Sequence, residues 1–161
     1  MVFHDGYVYH IKDEYFVKAK DDTLMQNKEG GYHRPTYFAL KDDATGLLWM
    51  VPMSTRFIKY KAIHDKQIKK YGHCITIVIG EYNELPAAFL LQNIFPVTPY
   101  YLDHIHTKSG NPLPVKYSIQ QTIKTNIKRI MQIHARGRKI VFSDINRLEK
   151  LMLDELSQEM E

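Results

Sequence analysis

Aromatic and branched residues fill Gly6-Tyr7-Val8-Tyr9-His10-Ile11 in near alternation, a period of two that predicts a first strand. Polarity is mixed between Asp13 and Asn27, with a short helix predicted near residues 15–20, and Glu29-Gly30-Gly31 then breaks regular structure. Residues 36–40 and 47–51 read as the two strands of a hairpin. The Lys41-Asp42-Asp43-Ala44-Thr45-Gly46 segment between them is rich in turn-forming residues. No breaker interrupts residues 59–71, which predicts a helix with Tyr60, Ile63 and Ile68 on its inner face and Gly72 as its C-cap.

Ile75-Thr76-Ile77-Val78-Ile79 is the strongest strand signal, apolar enough to predict a central strand. A turn at residues 83–86 leads to another strand at 87–92, and Pro96, Pro99, Pro112 and Pro114 predict extended loop over residues 93–114. Ile119, Ile123, Ile127 and Ile130 recur at helical spacing through residues 118–136, with Gly137 closing that helix. Ser143 is the expected cap of a last helix, with Asp144 in its first turn and an apolar face of Ile145, Leu148, Met152 and Leu156. About five strands, a helix inserted after the third and two C-terminal helices make an α+β fold. Short antiparallel strands with tight turns predict a small, strongly curved β-barrel rather than an open sheet.

Length and composition bound this picture. The 161 residues (19.0 kDa) suit one domain spanning 1–161, and 44% apolar with 25% charged residues is ordinary for a soluble globular protein. No apolar run approaches the roughly 20 residues of a membrane span. Met1-Val2-Phe3-His4-Asp5 lacks the basic-then-apolar pattern of a signal peptide, and the single cysteine, Cys74 in an apolar strand, suits a reducing compartment. The expected location is cytoplasmic. The formal net charge of +4 is unevenly spread: residues 144–161 carry six acidic side chains against Arg147 and Lys150, leaving a basic body. That asymmetry fits a polyanionic partner, or simply a well-solvated surface.

The segment Trp49-Met50-Val51-Pro52-Met53-Ser54-Thr55-Arg56-Phe57-Ile58-Lys59-Tyr60-Lys61 runs an apolar strand into two adjacent hydroxyls and a set of cations. Hydroxyls donate to phosphate oxygens, and a guanidinium grips them with two parallel hydrogen bonds. If the hairpin pairs as predicted, Arg34 of Tyr32-His33-Arg34-Pro35 lies beside Ser54, roughly 5 Å away on the neighbouring strand. Together Arg34, Ser54, Thr55 and Arg56 form a site able to hold a phosphodiester, and RNA supplies its own nucleophile in the 2′-OH. Tyr32, His33, Lys59, Tyr60 and Lys61 are the candidate proton movers. The plain structural alternative has Ser54 and Thr55 capping a helix that starts near Phe57, with the arginines in solvent. Ser54→Ala is expected to leave the fold intact.

Two further groups stand out. His104 and His106 would share one side of a strand, the spacing of a divalent-metal pair, although no matching carboxylate pair flanks them. Lys116, Lys124, Lys128, Arg129, Arg136, Arg138 and Lys139, with Lys66, Lys69 and Lys70, make a basic surface suited to nucleic-acid phosphates, extended by Lys18, Lys20 and Lys28. Tyr100, Tyr101 and Tyr117 are candidates for stacking on unpaired bases.

Arg34-Pro35-Thr36-Tyr37-Phe38, Val51 to Arg56 with Lys59-Tyr60-Lys61, Leu91-Gln92-Asn93-Ile94-Phe95-Pro96-Val97 and Gly137-Arg138-Lys139-Ile140 follow one another in an order that resembles a known family. The resemblance is to the toxins of type III toxin–antitoxin systems, the ToxN/AbiQ/CptN endoribonucleases, and it is closest to the CptN branch. It spans residues 15–156. It implies a compact barrel related to the MazF/Kid toxins and metal-independent RNA cleavage leaving a 2′,3′-cyclic phosphate. No cofactor is implied. The implied partner is a small repeated RNA pseudoknot antitoxin, which the toxin cuts from its precursor and which then inhibits it in a closed protein–RNA assembly. On this resemblance Ser54 and Thr55 match the family's hydroxyl pair, Arg34 a basic position before the first hairpin strand, and Tyr32 a tyrosine just before it. Arg56-Phe57 departs from the proline and lysine of the ToxN pattern, so Arg56, Lys59 and Lys61 all remain candidates for the catalytic cation. The contrasting reading is a non-catalytic RNA- or DNA-binding regulator using the same basic face.

Overall fold

The computed structural model describes residues 2–29 and 32–159. Of the break expected at Glu29-Gly30-Gly31, the two glycines lie outside the described residues, whereas Glu29 ends a short strand. The fold is α+β: eleven β segments, four α-helices and two 3-10 turns among the described residues. In chain order these are β1 (Val8–Ile11), α1 (Asp13–Ala19), β2 (Lys28–Glu29), β3 (Tyr32–His33), β4 (Thr36–Lys41), β5 (Leu48–Ser54) and α2 (Phe57–Tyr71). They continue as β6 (Ile77–Tyr82), β7 (Leu85–Leu90), β8 (Phe95–Val97), β9 (Leu102–Ile105), β10 (Thr107–Lys108), β11 (Asn111–Pro112), α3 (Tyr117–Ala135) and α4 (Ile145–Glu159).

The main sheet is antiparallel and runs β6-β7-β5-β4-β1-β9, with β8 on β5 as a branch. Its terminal strands, β6 and β9, do not pair with each other among the described residues. The expected closed barrel is therefore an open, branched sheet.

β4 and β5 form the predicted hairpin with Thr36 opposite Pro52 and Tyr37 opposite Val51. Both strands are buried on two faces. Tyr37, Ala39, Trp49, Val51 and Met53 join Ile123, Ile127 and Ile130 of α3 in one core cluster, while Phe38, Leu48 and Met50 join Tyr15, Leu148 and Met152 in another. This period-two split sandwiches the hairpin between α3 on one side and α1 with α4 on the other. β5 also carries the sheet's branch point. One edge pairs with β4, while the other pairs with β8 at Leu48–Met50 and with β7 at Met53 and Ser54. Met53 donates its N–H to Pro35 O on the β4 side (3.3 Å). The nitrogen of Pro52 therefore faces the opposite edge, in the gap between β8 and β7, where no donor is needed.

Several expectations need correcting, each for a physical reason. β6 is an edge strand, not a central one; it is apolar because Ile77 packs beneath α2 with Tyr60 while Val78 packs towards α3. Only Tyr60 of the three predicted inner residues of α2 is buried, and Ile68 is 42% exposed. The segment read as loop over 93–114 contains β8 and β9, because Pro96 sits on a short strand opposite Trp49. Cys74 precedes β6 and is only partly buried. Ser143 donates to Ile94 O (2.5 Å), so the first turn of α4 is held by Asp144, whose carboxylate accepts from the Arg147 N–H (3.3 Å). Farther along α4, Glu155 accepts from Tyr101 Oη (2.5 Å) and Lys18 Nζ (2.7 Å), tying the acidic helix to α1 and to the turn before β9.

No helix among the described residues is long and apolar enough to cross a membrane.

The helix assignments predict unequal costs for two isoleucines. Ile127→Ala in α3 should lower the unfolding free energy by about 2–5 kcal/mol in a urea titration, since it empties a core position. Ile68→Ala on the outer face of α2 should change it by no more than about 0.5 kcal/mol.

Candidate active site

The end of β5 fixes the hydroxyl pair. Ser54 is the last residue of the strand and α2 begins at Phe57, so Thr55 and Arg56 make the junction. The Arg56 N–H donates to Ser54 Oγ (3.1 Å) and the Phe57 N–H to Thr55 O (2.7 Å), which turns the chain sharply into the helix. Neither hydroxyl caps α2, whose N-cap is Arg56, and Arg34 is not in solvent; the Ser54 hydroxyl instead braces the turn, and Ser54 lines a cavity. Ser54 is only 4% exposed, Thr55 and Arg56 are exposed.

Arg34 lies two residues before β4, next to Pro35, whose carbonyl accepts from the Met53 N–H. It is 6% exposed, and its guanidinium donates through Nε to Gln26 O (2.8 Å) and through Nη1 to Met53 O (2.9 Å). Its own N–H donates to Asn27 O (2.7 Å). These bonds make Arg34 a strut between the loop at 26–27 and the strand that carries Ser54.

A cavity of about 380 Å³ opens beside this junction. Its walls are Tyr32, His33 and Pro35 on one side, Met53, Ser54 and Thr55 at the end of β5, residues Tyr82, Asn83, Leu85, Pro86 and Ala87 of the β6–β7 hairpin, and His106. That hairpin turns on Asn83 and Glu84, both with positive φ (54° and 63°), the two-residue turn that matches strand twist. Tyr32 stands 80% exposed at the rim on β3. Tyr82 donates its hydroxyl to Leu113 O (2.8 Å), and burial pushes its pKa up to about 12, so it stays neutral. No carboxylate is among the described residues that line the cavity.

His106 brings a second group of residues to this wall. β1 and β9 pair with His10 directly opposite His104. The His10 ring stacks on His104 (4.3 Å between centroids), and its Nε2 lies 2.9 Å from His106 Nδ1. Burial, then the neighbouring His104, His106 and His33, lower the His10 pKa from the usual imidazole value to about 4. Burial and His104 also lower His106. The pair read as a metal-ligand spacing is thus part of an imidazole stack, and no group of three or more His, Cys, Asp or Glu among the described residues is arranged to hold a metal ion.

The remaining candidates spread over the surface. Arg56 precedes α2, and Lys59 and Lys61 occupy its first turns, all outside the cavity lining, with Lys61 paired to Asp65 (2.7 Å). His33 lines the cavity and lies 4.0 Å from Asp13. Tyr60 is core, packed with Ile77, Ala88 and Leu90, and does not line the cavity. Tyr101 is core as well, whereas Tyr117 is exposed.

Lys66 and Lys70 border a second, open cavity of about 570 Å³ with Tyr71 and Phe142, and Lys69 is exposed on the same helix. Lys124 pairs with Asp5 (3.0 Å), Lys116 with Glu81 and Lys18 with Glu155 (2.7 Å). Lys20, Lys28, Arg136 and Arg138 are exposed; Lys128 borders a cavity near the β4–β5 turn, and Lys139 with Arg138 one near the start of α4. The sequence reading missed His10, Tyr82 and Asn83 as site residues. Only the β1–β9 register, a pairing between segments far apart in the chain, brings His10 to His106.

No family model matches the sequence, and neither does any curated protein. Among solved structures the fold matches that of AbiQ, a lactococcal anti-phage endoribonuclease belonging to the type III toxin–antitoxin system. The TM-score is 0.70 at 14% identity, over 94% of this chain and 98% of that one. The likeness shows a shared fold.

Because Arg34 is buried against two backbone carbonyls, Arg34→Ala should cost about 3 kcal/mol of stability in urea unfolding. Arg34→Lys should recover little of it, since an ammonium lacks the guanidinium's fork. Arg56→Ala should leave stability within about 0.5 kcal/mol.

Proposed function

We propose that this protein is the toxin of a type III toxin–antitoxin system, closest to the CptN branch. It acts as a sequence-selective endoribonuclease in the cytoplasm, with residues 1–161 working as one domain. The observation that carries the reading is Ser54 and Thr55 on the wall of a nucleotide-sized cavity, in a chain that shares its fold with an endoribonuclease over 94% of its length.

The substrate supplies the attacking group. Its 2′-OH displaces the 5′ oxygen at phosphorus, leaving a 2′,3′-cyclic phosphate on one fragment and a 5′-OH on the other. Ser54 and Thr55 hold the phosphate oxygens as negative charge builds on them, and Arg34 fixes the strand from which Ser54 projects. Arg56 at the start of α2, with Lys59 and Lys61 on its exposed first turns, supplies positive potential along the RNA backbone next to the cavity. Tyr32, exposed at the rim, covers the base beside the cut. The polar groups of the lining are hydroxyls, imidazoles and one amide set among apolar side chains, a set that suits charge stabilisation by hydrogen bonds better than it suits a carboxylate-bound cation.

The partner is a repeated RNA pseudoknot that the protein cuts from its precursor and that then blocks the site, in a protein–RNA hetero-oligomer. The basic faces of α2 (Lys66, Lys69, Lys70) and of α3 with the segment after it (Lys116, Lys124, Lys128, Arg136, Arg138, Lys139) contact its phosphates. Lys18, Lys20, Lys28, His33 and the exposed Tyr117 extend that contact.

Expression of the chain alone in a bacterial host should arrest growth and fragment RNA, and the purified protein should cut RNA in excess chelator. Ser54→Ala should slow cleavage about 100-fold. It should also cost about 1 kcal/mol of stability, because the hydroxyl braces the turn into α2. Tight RNA binding with no fragments would instead identify a non-catalytic RNA-binding regulator.

A further inference from the structure

The cavity presents one side chain whose role the cleavage reading leaves unassigned. His106 lines the same cavity as Ser54 and Thr55, on the segment just after β9. Its main chain is anchored, with the N–H donating to Val8 O (2.7 Å), and its ring packs at a tilt on Tyr82 (6.0 Å between centroids). His10 holds Nδ1 of that ring at 2.9 Å, which leaves Nε2 as the nitrogen available to a molecule in the cavity. The other nitrogen of His10, Nδ1, is buried with no partner among the described residues. The one hydrogen bond of that ring therefore goes to His106, and its orientation serves that contact.

We propose that His106 is the general base of the RNA cleavage and that His10 is its positioning residue; this rests on the endoribonuclease reading above. The 2′-OH proton passes to Nε2 of His106 as the bond from O2′ to phosphorus forms and the bond from phosphorus to O5′ breaks. The departing 5′ oxygen takes a proton from water, and the imidazolium returns its own to the hydroxide so formed. In the acting tautomer His106 donates its Nδ1 proton to His10 Nε2, and His10 carries its own proton on Nδ1.

Most of the charged groups facing the pair disfavour its protonation. His104 stacks on His10 from β9, His33 approaches from β3, Tyr82 is neutral on β6, and Asp103 opposes them from an exposed position. Asp13, on α1, lies against His33. Burial and His104 keep His106 below the ordinary imidazole range and hence unprotonated at neutral pH, as a base must be.

The test is single-turnover cleavage of a long mixed-sequence transcript between pH 4.5 and 8.5. The wild-type rate should rise with pH through a one-proton limb centred below 6.5 and then level. His106→Ala should be at least ~100-fold slower at neutral pH and lack that limb, with binding to a 2′-deoxy version of the transcript unchanged. Added imidazole should restore part of its rate, which a purely structural role would not allow. His106→Gln, which keeps the side chain's bulk, gives the same reading should the alanine variant melt early. His10→Phe should lower the rate with binding intact, and His10→Asn, whose oxygen can accept from His106, should recover part of it. A wild type that leaves the transcript whole overturns both readings. A wild type that cuts, with His106→Ala and His106→Gln equally fast and unchanged in pH dependence, overturns the role of His106 alone.

Discussion

Strand β5 must satisfy hydrogen-bonding partners on both edges while burying both faces, and the rest of the molecule is arranged around that requirement. One edge belongs to β4 throughout; the other changes from β8 to β7 across Pro52, the residue that has no N–H to lose there. Because the strand is held so completely, Ser54 is delivered to the edge of the sheet with little freedom, and the chain must turn abruptly into α2. Arg34 ties the same strand to the loop at 26–27 through Met53 O. Backbone ladder, buried guanidinium and braced turn together make a rigid platform for two small hydroxyls.

The same organisation explains how chemistry from distant parts of the chain converges. The β6–β7 hairpin, paired to the last two residues of β5, forms one wall of the cavity, and β3 leads into β4 from the other side. β1, on the far edge of β4, brings His10 against the residues that follow β9. The sheet thus gathers hydroxyls, an exposed tyrosine and a half-buried imidazole pair at one place. The basic side chains of α2, of α3 and of the loop after it are largely exposed.

How much of this was legible in the sequence depended on how local the determining interaction is. The hairpin, α3 and α4 were readable because their period and turn residues are set within a few positions, and the same hairpin brings Arg34 against Met53 of β5. The role of Ile63 and Ile68 was not readable, since α2 packs mainly through Tyr60. β6 looked central because two helices cover its faces, a fact of tertiary packing rather than of pattern. Prolines concealed β8 and β9, whose pairing depends on partners far away in the chain. For the same reason His104 and His106 suggested a metal pair, while the ring that actually contacts both, His10, lay unnoticed in the first strand.

The central claim is that ribose does the attacking while the end of β5 steadies the phosphate. The direct measurement is to map a cut in a repeat-containing RNA, replace the single nucleotide 5′ of that cut by its 2′-deoxy form, and compare cleavage there and at untouched sites. The account predicts that cutting stops only at the substituted position, and that the natural product ends in a 2′,3′-cyclic phosphate. Continued cutting at the deoxy position, or a product ending in a plain 3′-OH, would contradict it.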